Sequence, residues 1–246
     1  MSPENRRILY HTKGLSAIIA GMSGDYHKSI FEFQEVVAGA EKLKSECSED
    51  TRFQYNLWAF ERRLGIDLDK SGNFPAAVSY LKSSLAIIEN LKNGSAADAG
   101  YKRNTAITML ALGKVFLRHE KPKKALDYFL RARQISENLL DAGASNGETI
   151  ADLVSIYGNL AAVSAALGRI EESISNQGKT LAFFQRCLAK SPANKELRRV
   201  FAETTELTAE KFSIARKRLK FKEIQTFGEN TKLVFERSRK TAPDNF

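Results

Sequence analysis

The side chains best suited to metal or redox chemistry, three histidines and two cysteines, are scattered along the chain. His11, His27 and His119 have no second ligand at helical spacing. Cys47 and Cys187 are far apart and show no metal-binding spacing either. Structural zinc sites draw four such ligands from closely spaced pairs. We therefore predict no metal site, two reduced cysteines packed in or near helices, and histidines at the surface.

Motifs that carry catalysis or hold cofactors are missing from the sequence. There is no phosphate-binding G-x-x-x-x-G-K-[ST] loop, no dinucleotide-binding G-x-G-x-x-G, no H-E-x-x-H and no nucleophile elbow. Serine, aspartate and glutamate are common, but no spacing gathers them into a pocket. We predict a protein that is not an enzyme and that needs no cofactor.

The elements that would position any functional side chain are clearest between Met109 and Ala132. Apolar residues of alternating size recur there at helical spacing, and Pro122 stands where a second helix would begin. The residues of this pattern are Met109, Leu112, Gly113, Phe116, Ala125, Phe129 and Ala132. The spacing predicts two helices joined by a short turn, with small residues where the two backbones approach.

This order of sizes resembles the tetratricopeptide repeat, a hairpin of two helices. Leu112-Gly113 matches the family's Leu-Gly pair, while Met109 and Phe116 stand in its aromatic positions. The closing proline of the family would fall at Glu137, and its absence predicts a second helix that continues past this point.

A fixed interval of 48 residues supports the resemblance. Ser29, Ala77, Ala125 and Ser173 share one position of the second helix at this interval. Gly24, Gly72 and Gly168 fall in the turns, with Glu120 in the corresponding place of the third unit. We predict five units, at about residues 2–48, 49–96, 97–144, 145–191 and 192–241, within a single repeat domain over residues 1–246.

Each unit is longer than the usual repeat of about 34 residues, which adds roughly two turns to each helix. Kinesin light chains and the C-terminal regions of some bacterial serine/threonine kinases look similar, with long repeats broken by turns such as Ser191-Pro192-Ala193-Asn194. With 43% hydrophobic residues and five prolines, the chain has enough apolar surface for a core and little sign of strands. The resemblance implies an all-α, right-handed superhelical solenoid.

Local signals place several helix ends and core residues. Ser2 followed by Pro3 predicts a helix that begins near the first residue and ends near Met22. In the second helix we expect Ile30, Phe33, Val37 and Ala40 to be buried. In the second unit we expect the single tryptophan, Trp58, to pack in the core rather than to hold a ligand.

The resemblance also implies where a partner would bind, because the first helices of stacked repeats line a concave surface. Carrying the family's ligand-facing positions over to this sequence selects residues from three successive first helices. They are Arg62, Ile66, Lys70, Ile107, Leu110, Lys114, Arg118, Ser155, Asn159 and Ala162. This surface would be basic in its middle, lined by small residues in the fourth unit, and acidic near Glu203, Glu206 and Glu210.

Binding of a protein or peptide is therefore the expected function, with an acidic segment as one option and a role in bacterial signalling as another. Arg62, Lys114 and Arg118 would hold such a segment through charge-assisted hydrogen bonds.

The N-terminal sequence has no secretory signature, and its apolar run Gly14–Met22 is too short to span a membrane. We expect a cytoplasmic protein without a membrane span.

Two alternatives remain at this point. The net charge is +9, and residues 211–240 hold ten basic but only three acidic residues, which could contact nucleic acid phosphates or another acidic surface. No base-recognition motif accompanies this cluster, so nucleic acid is the less favoured partner. Self-association through an unpaired end helix is the other alternative.

Overall fold

The computed structural model describes residues 1–47, 50–94, 99–142 and 147–190. Within these ranges there are eight α-helices and no strands. The helices are α1 (Pro3–Met22), α2 (Tyr26–Glu46), α3 (Thr51–Lys70), α4 (Phe74–Gly94), α5 (Ala99–Arg118), α6 (Pro122–Asp141), α7 (Gly147–Ala166) and α8 (Ile170–Lys190). The all-α fold is as predicted.

The predicted interval governs the helix boundaries. The first helices of the four hairpins begin at residues 3, 51, 99 and 147, and the second helices at 26, 74, 122 and 170, so successive starts are 48 residues apart. The turn backbone repeats as well, because Gly24, Gly72, Glu120 and Gly168 all have positive φ angles. α6 continues past Glu137, as the missing proline predicts. The predicted fifth unit, 192–241, and the basic cluster at 211–240 lie outside the described residues.

Side chains cap the first turns of α1, α2 and α3, and the cap at Ser2 is the one that the sequence predicts. The Ser2 side chain accepts a hydrogen bond from the Asn5 amide, with Pro3 as the first residue of α1. The Asp25 carboxylate accepts one from the Lys28 amide at the start of α2, and the Asp50 carboxylate accepts one from the Arg52 amide at the start of α3. These acceptors satisfy backbone donors that have no partner within the first helical turn.

Small residues in the first helices allow the two helices of a hairpin to approach. A β-carbon added at Gly65 would lie 2.7 Å from Leu81 Cγ and 3.1 Å from the Ala77 carbonyl oxygen. At Gly113 an added β-carbon would overlap the ring of Phe129, which is fully buried. The Leu-Gly pairs therefore mark the contact between α3 and α4 and between α5 and α6.

The predicted core is almost entirely buried. Met109, Leu112, Phe116, Ala125, Phe129 and Ala132 are at most 4% exposed. Phe33, Val37 and Ala40 are buried in α2, but Ile30 is only half-buried and lies at the edge of that stripe. Trp58 is 3% exposed, and its Nε1 donates a hydrogen bond to Thr108 Oγ1 at 3.0 Å, which links α3 to α5.

Contacts divide the chain into two compact units, Met1–Ala144 and Ser145–Phe246. The first contains three hairpins in which α2 packs on α3 and α4 packs on α5. In the second, α7 packs on α8, Ser173 Oγ donates to the Ala161 carbonyl at 2.8 Å, and the rings of Tyr157 and Phe183 stack at 5.6 Å. That all five predicted units form one array remains a prediction.

One helical segment in the described part of the chain, Glu148–Ala166, is long and apolar enough to cross a membrane by length and composition alone. Its mean hydropathy is 1.3, and half of the window is buried inside the protein. Core helices of soluble proteins meet the same criterion, so the expectation of no membrane span stays a prediction.

Candidate functional site

α3 carries the first set of predicted groove residues on one face, at intervals of four residues. Arg62 and Ile66 are half-buried, and Lys70 is exposed. The Arg62 guanidinium lies over the Trp58 ring at 5.6 Å from its centroid, and Lys70 Nζ lies 5.2 Å from the centroid of the Tyr26 ring. Cation–π contacts of this kind orient the basic side chains while leaving them near solvent.

α5 presents a narrower surface than the sequence predicts. Ile107 is half-buried, and Lys114 and Arg118 are exposed, but Leu110 is only 7% exposed and belongs to the core. Most of α5 between residues 104 and 116 is buried, because the helix packs against α3, α4 and α6. A helix with neighbours on several sides buries a wider arc than an amphipathic stripe.

Hydrogen bonds hold α3 and α5 in a fixed relation. Besides the bond from Trp58 to Thr108, the Asn104 side-chain amide donates to the Tyr55 hydroxyl at 3.1 Å. The Trp58 carbonyl in turn accepts from Ser84 Oγ of α4 at 2.9 Å. Buried polar networks whose members are paired fix one arrangement of helices. The accessible residues of α3 and α5 thus sit on a rigid support.

The ends of α3 and α5 are joined through Asp69, whose side chain is 3% exposed. The Asp69 carboxylate pairs with the Arg118 guanidinium, and its Oδ1 lies 2.9 Å from His119 Nε2. The His119 ring also lies 4.4 Å from that of Phe74. This corrects the prediction of a surface histidine, since His119 is only partly exposed and joins two hairpins.

The pairing of Asp69 with Arg118 alters the charge of the candidate surface. The resemblance places Arg118 in the groove, and the buried Asp69 carboxylate offsets part of its guanidinium charge. Arg118 remains 53% exposed. The Arg118 guanidinium therefore pairs with Asp69 and is still accessible to a negatively charged group of a binding partner.

The predicted residues of α7 belong to the second compact unit. Ser155, Asn159 and Ala162 are all half-buried. The Asn159 amide donates to the Ser155 carbonyl at 2.7 Å, one turn earlier on the same helix. Among the described residues, no atom lies within 4 Å of a β-carbon added at Gly158. Glu203, Glu206 and Glu210 lie outside the described residues.

Sequence reasoning missed a buried polar contact between the first two hairpins. Asp67 is fully buried, and Ser29 Oγ donates to its Oδ2 at 2.7 Å. Arg63 Nε lies 3.9 Å from the same oxygen. The sequence offers one signal, which is Ser29 in α2 where the next two units have alanine. Asp67 itself gives none, because an aspartate between Leu64 and Leu68 resembles a solvent-facing residue.

Comparison with known proteins identifies the fold. No family model matches the sequence, and no curated protein matches it. Among solved structures, BtubC (BKLC) from P. vanneervenii has a TM-score of 0.66 at 17% identity, with 100% of this chain and 89% of that chain covered.

Two further structures agree. The TPR-like repeats of a Podosopora anserina protein assigned as a kinesin light chain give a TM-score of 0.63 at 14% identity, over 98% of this chain and 99% of that one. The Rap conjugation gene regulator of plasmid pLS20, solved with the Phr* peptide, gives 0.53 at 12% identity, over 96% of this chain and 76% of that one. The chain therefore has the all-α helical-repeat fold of TPR-like proteins.

Proposed function

We propose that the protein is a non-catalytic scaffold whose first helices bind a segment of a partner protein. The proposed contact is the α3–α5 face, which consists of Arg62, Ile66, Lys70, Ile107, Lys114 and Arg118. The observation that carries the proposal is the pair Ile66 and Ile107, two half-buried apolar side chains on neighbouring helices, accompanied by exposed lysines. Such a pattern fits recognition of a peptide or helix through apolar anchors with charged surroundings.

The charge of this face favours an acidic partner. Lys70 and Lys114 are exposed, and Arg62 is held near the surface by its contact with Trp58. Carboxylates of a partner would form charge-assisted hydrogen bonds with these groups. Arg118 contributes less than its exposure suggests, because Asp69 already pairs with it.

The same fold holds a peptide in another protein, since the Rap regulator was solved with the Phr* peptide. This likeness supports peptide binding as the class of function for the present chain. More specifically, we propose that the protein is cytoplasmic and serves as a docking component of a bacterial signalling system. Cell fractionation and identification of the bound partner test these two points separately.

Charge reversal on the α3–α5 face tests the proposal. In Lys70→Glu/Lys114→Glu, capture of the natural partner from a lysate of the source cells should fall by at least about tenfold, which is 1.4 kcal/mol of binding free energy. Lys82→Glu/Lys123→Glu provides the matched control, because it makes the same charge change at exposed positions of α4 and α6. Equal capture by both double variants, each with wild-type circular dichroism, would refute the assigned surface.

The alternative, binding of nucleic acid or another acidic surface through residues 211–240, concerns a region outside the described residues. It stays a prediction from charge alone. A gel-shift titration with increasing salt decides it, because phosphate contacts give a steep loss of affinity with salt and absence of binding at low salt removes the alternative.

A further inference from the structure

A cavity of about 450 Å³ lies among α2, α3 and α4, separate from the α3–α5 face. Its volume is within the range of small-molecule sites. We call it the α2–α4 cavity. It is lined by Glu41, Lys44, Ser45, Gln54, Leu57, Glu61, Ser83 and Ile87. Leu57 and Ile87 form an apolar part of the wall, and the remaining side chains are polar or charged.

Glu61 is the unusual member of this lining. Glu61 is only 3% exposed, and its buried Oε2 nevertheless has no hydrogen-bond partner among the described residues. The Ser83 hydroxyl bonds to the same carboxyl group. Leaving a buried acceptor unsatisfied costs free energy, so folded proteins rarely leave one without a partner. A donor brought by a ligand would satisfy this oxygen.

The charged groups around Glu61 favour a cation over an anion. α2 contributes the Glu41 carboxylate and the Lys44 ammonium, whereas α4 contributes the uncharged Ser83 and Ile87. The pKa of Glu61 is raised to about 7, chiefly by burial and also by the nearby Glu41 carboxylate, while the Ser83 hydrogen bond and Lys44 act in the opposite direction. When Glu61 is ionised, the cavity holds two carboxylates against one ammonium.

We propose that the α2–α4 cavity binds a primary alkylammonium group, whose N–H donates to Glu61 while its carbon chain packs on Leu57 and Ile87. A single unsatisfied oxygen suits the point charge of an ammonium better than a planar guanidinium, which is held best by two oxygens in parallel. The ligand is either a free alkylamine or a lysine side chain of a protein. The proposal does not depend on partner binding at the α3–α5 face.

Titration of the full chain, followed by two-dimensional amide NMR, tests the proposal with defined probes. The probes are n-butylammonium for a free amine, Nα-acetyl-lysine methylamide for a lysine side chain, and n-butanol as the uncharged control. We expect saturable shifts around Leu57, Glu61 and Ser83 with n-butylammonium and none with n-butanol. Affinity should rise roughly tenfold from pH 6 to pH 8, because only the ionised form of Glu61 accepts from the cation.

Two variants separate a site at Glu61 from a general effect of charge. Glu61→Gln keeps the size of the side chain and should weaken n-butylammonium at least tenfold at pH 8, whereas Glu41→Gln should weaken it less than threefold. Ser83→Leu places a larger side chain in the cavity lining at an exposed residue, so it should abolish binding without unfolding the protein. Three results would overturn the proposal. They are binding of n-butanol as tight as that of n-butylammonium, unchanged binding in both Glu61→Gln and Ser83→Leu, and no binding of either amine at concentrations up to about 10 mM.

The two amine probes distinguish the sources of the ligand, and either positive result supports the site. Tighter binding of n-butylammonium than of the lysine derivative by tenfold or more indicates a free alkylamine. Comparable affinities indicate that the cavity accepts a lysine side chain from a protein.

Discussion

Asp69 and His119 lie 50 residues apart in sequence, yet His119 Nε2 is 2.9 Å from the Asp69 carboxylate. The contact joins the end of α3 to the turn after α5, and Arg118 pairs with the same carboxylate. Two neighbouring hairpins are thereby fastened at the edge of the proposed binding face.

Removing the charge of Asp69 should destabilise the protein moderately. Asp69→Asn keeps the shape of the side chain but loses a hydrogen bond and an ion pair in a buried place, so we expect a loss of about 1–3 kcal/mol of unfolding free energy in urea titrations. Asp127→Asn is the matched control, because Asp127 is 68% exposed and only 3.9 Å from Arg131. Its cost should stay below about 0.5 kcal/mol, and equal costs for the two variants would contradict a structural role for Asp69.

Glu120 should respond to substitution by glycine with a gain in stability. Its φ angle is 55°, and in the other three turns a glycine occupies this left-handed position. Relieving the strain of a side chain there should raise the unfolding free energy by about 1 kcal/mol, less the entropy that glycine adds to the unfolded chain. Gly72→Ala should lower it by a similar amount, since no atom of the described residues lies within 4 Å of the added β-carbon and the strain is that of the backbone.

Gly65→Ala should destabilise the second hairpin despite the better helix propensity of alanine. The added carbon would meet the fully buried Leu81 at 2.7 Å from its Cγ and the Ala77 backbone carbonyl oxygen at 3.1 Å. Overpacking of this kind costs about 1–3 kcal/mol, more than the gain of up to 1 kcal/mol from propensity. Gly158→Ala provides the comparison, because no described residue lies within 4 Å of the added carbon and the propensity gain should remain. A stabilised Gly65→Ala protein would show that α3 and α4 are not in close contact.

Stability should fall as the pH rises from about 4.5 to 7, in part because of Glu61. Burial raises the pKa of this carboxyl from 4.5 to about 7, so the folded protein binds the proton more tightly than the unfolded chain does. Between these values the unfolding free energy loses roughly 2–3 kcal/mol from this group. In Glu61→Gln this part of the slope should vanish, so the variant should exceed the wild type in stability at pH 8 but not at pH 4. Identical pH profiles would mean that Glu61 titrates normally.

The sequence predicted the repeating hairpin well, because the interval of 48 residues is encoded locally. Turn positions such as Gly24 and Gly72, and small residues such as Ala77 and Ala125, follow from the geometry of a single hairpin. The same pattern placed most of the core, since each apolar stripe must be covered by its neighbour.

The details of the candidate face could not be predicted in the same way. Leu110 is buried because α5 has partners on three sides, which no single-helix pattern reveals. Asp69 meets Arg118 and His119 only after one hairpin has stacked on the next, and Glu61 is buried among three helices. Such contacts depend on how units stack, whereas sequence periodicity reports chiefly on the face within each unit.

Site-specific photocrosslinking tests the central claim most directly. A photoreactive phenylalanine analogue replaces Ile66 or Ile107 on the α3–α5 face, or Lys82 on α4 as the control, and crosslinked proteins are identified from intact source cells. The account predicts that positions 66 and 107 capture the same partner and that position 82 does not. Capture of that partner at position 82 with none at 66 and 107 would contradict it.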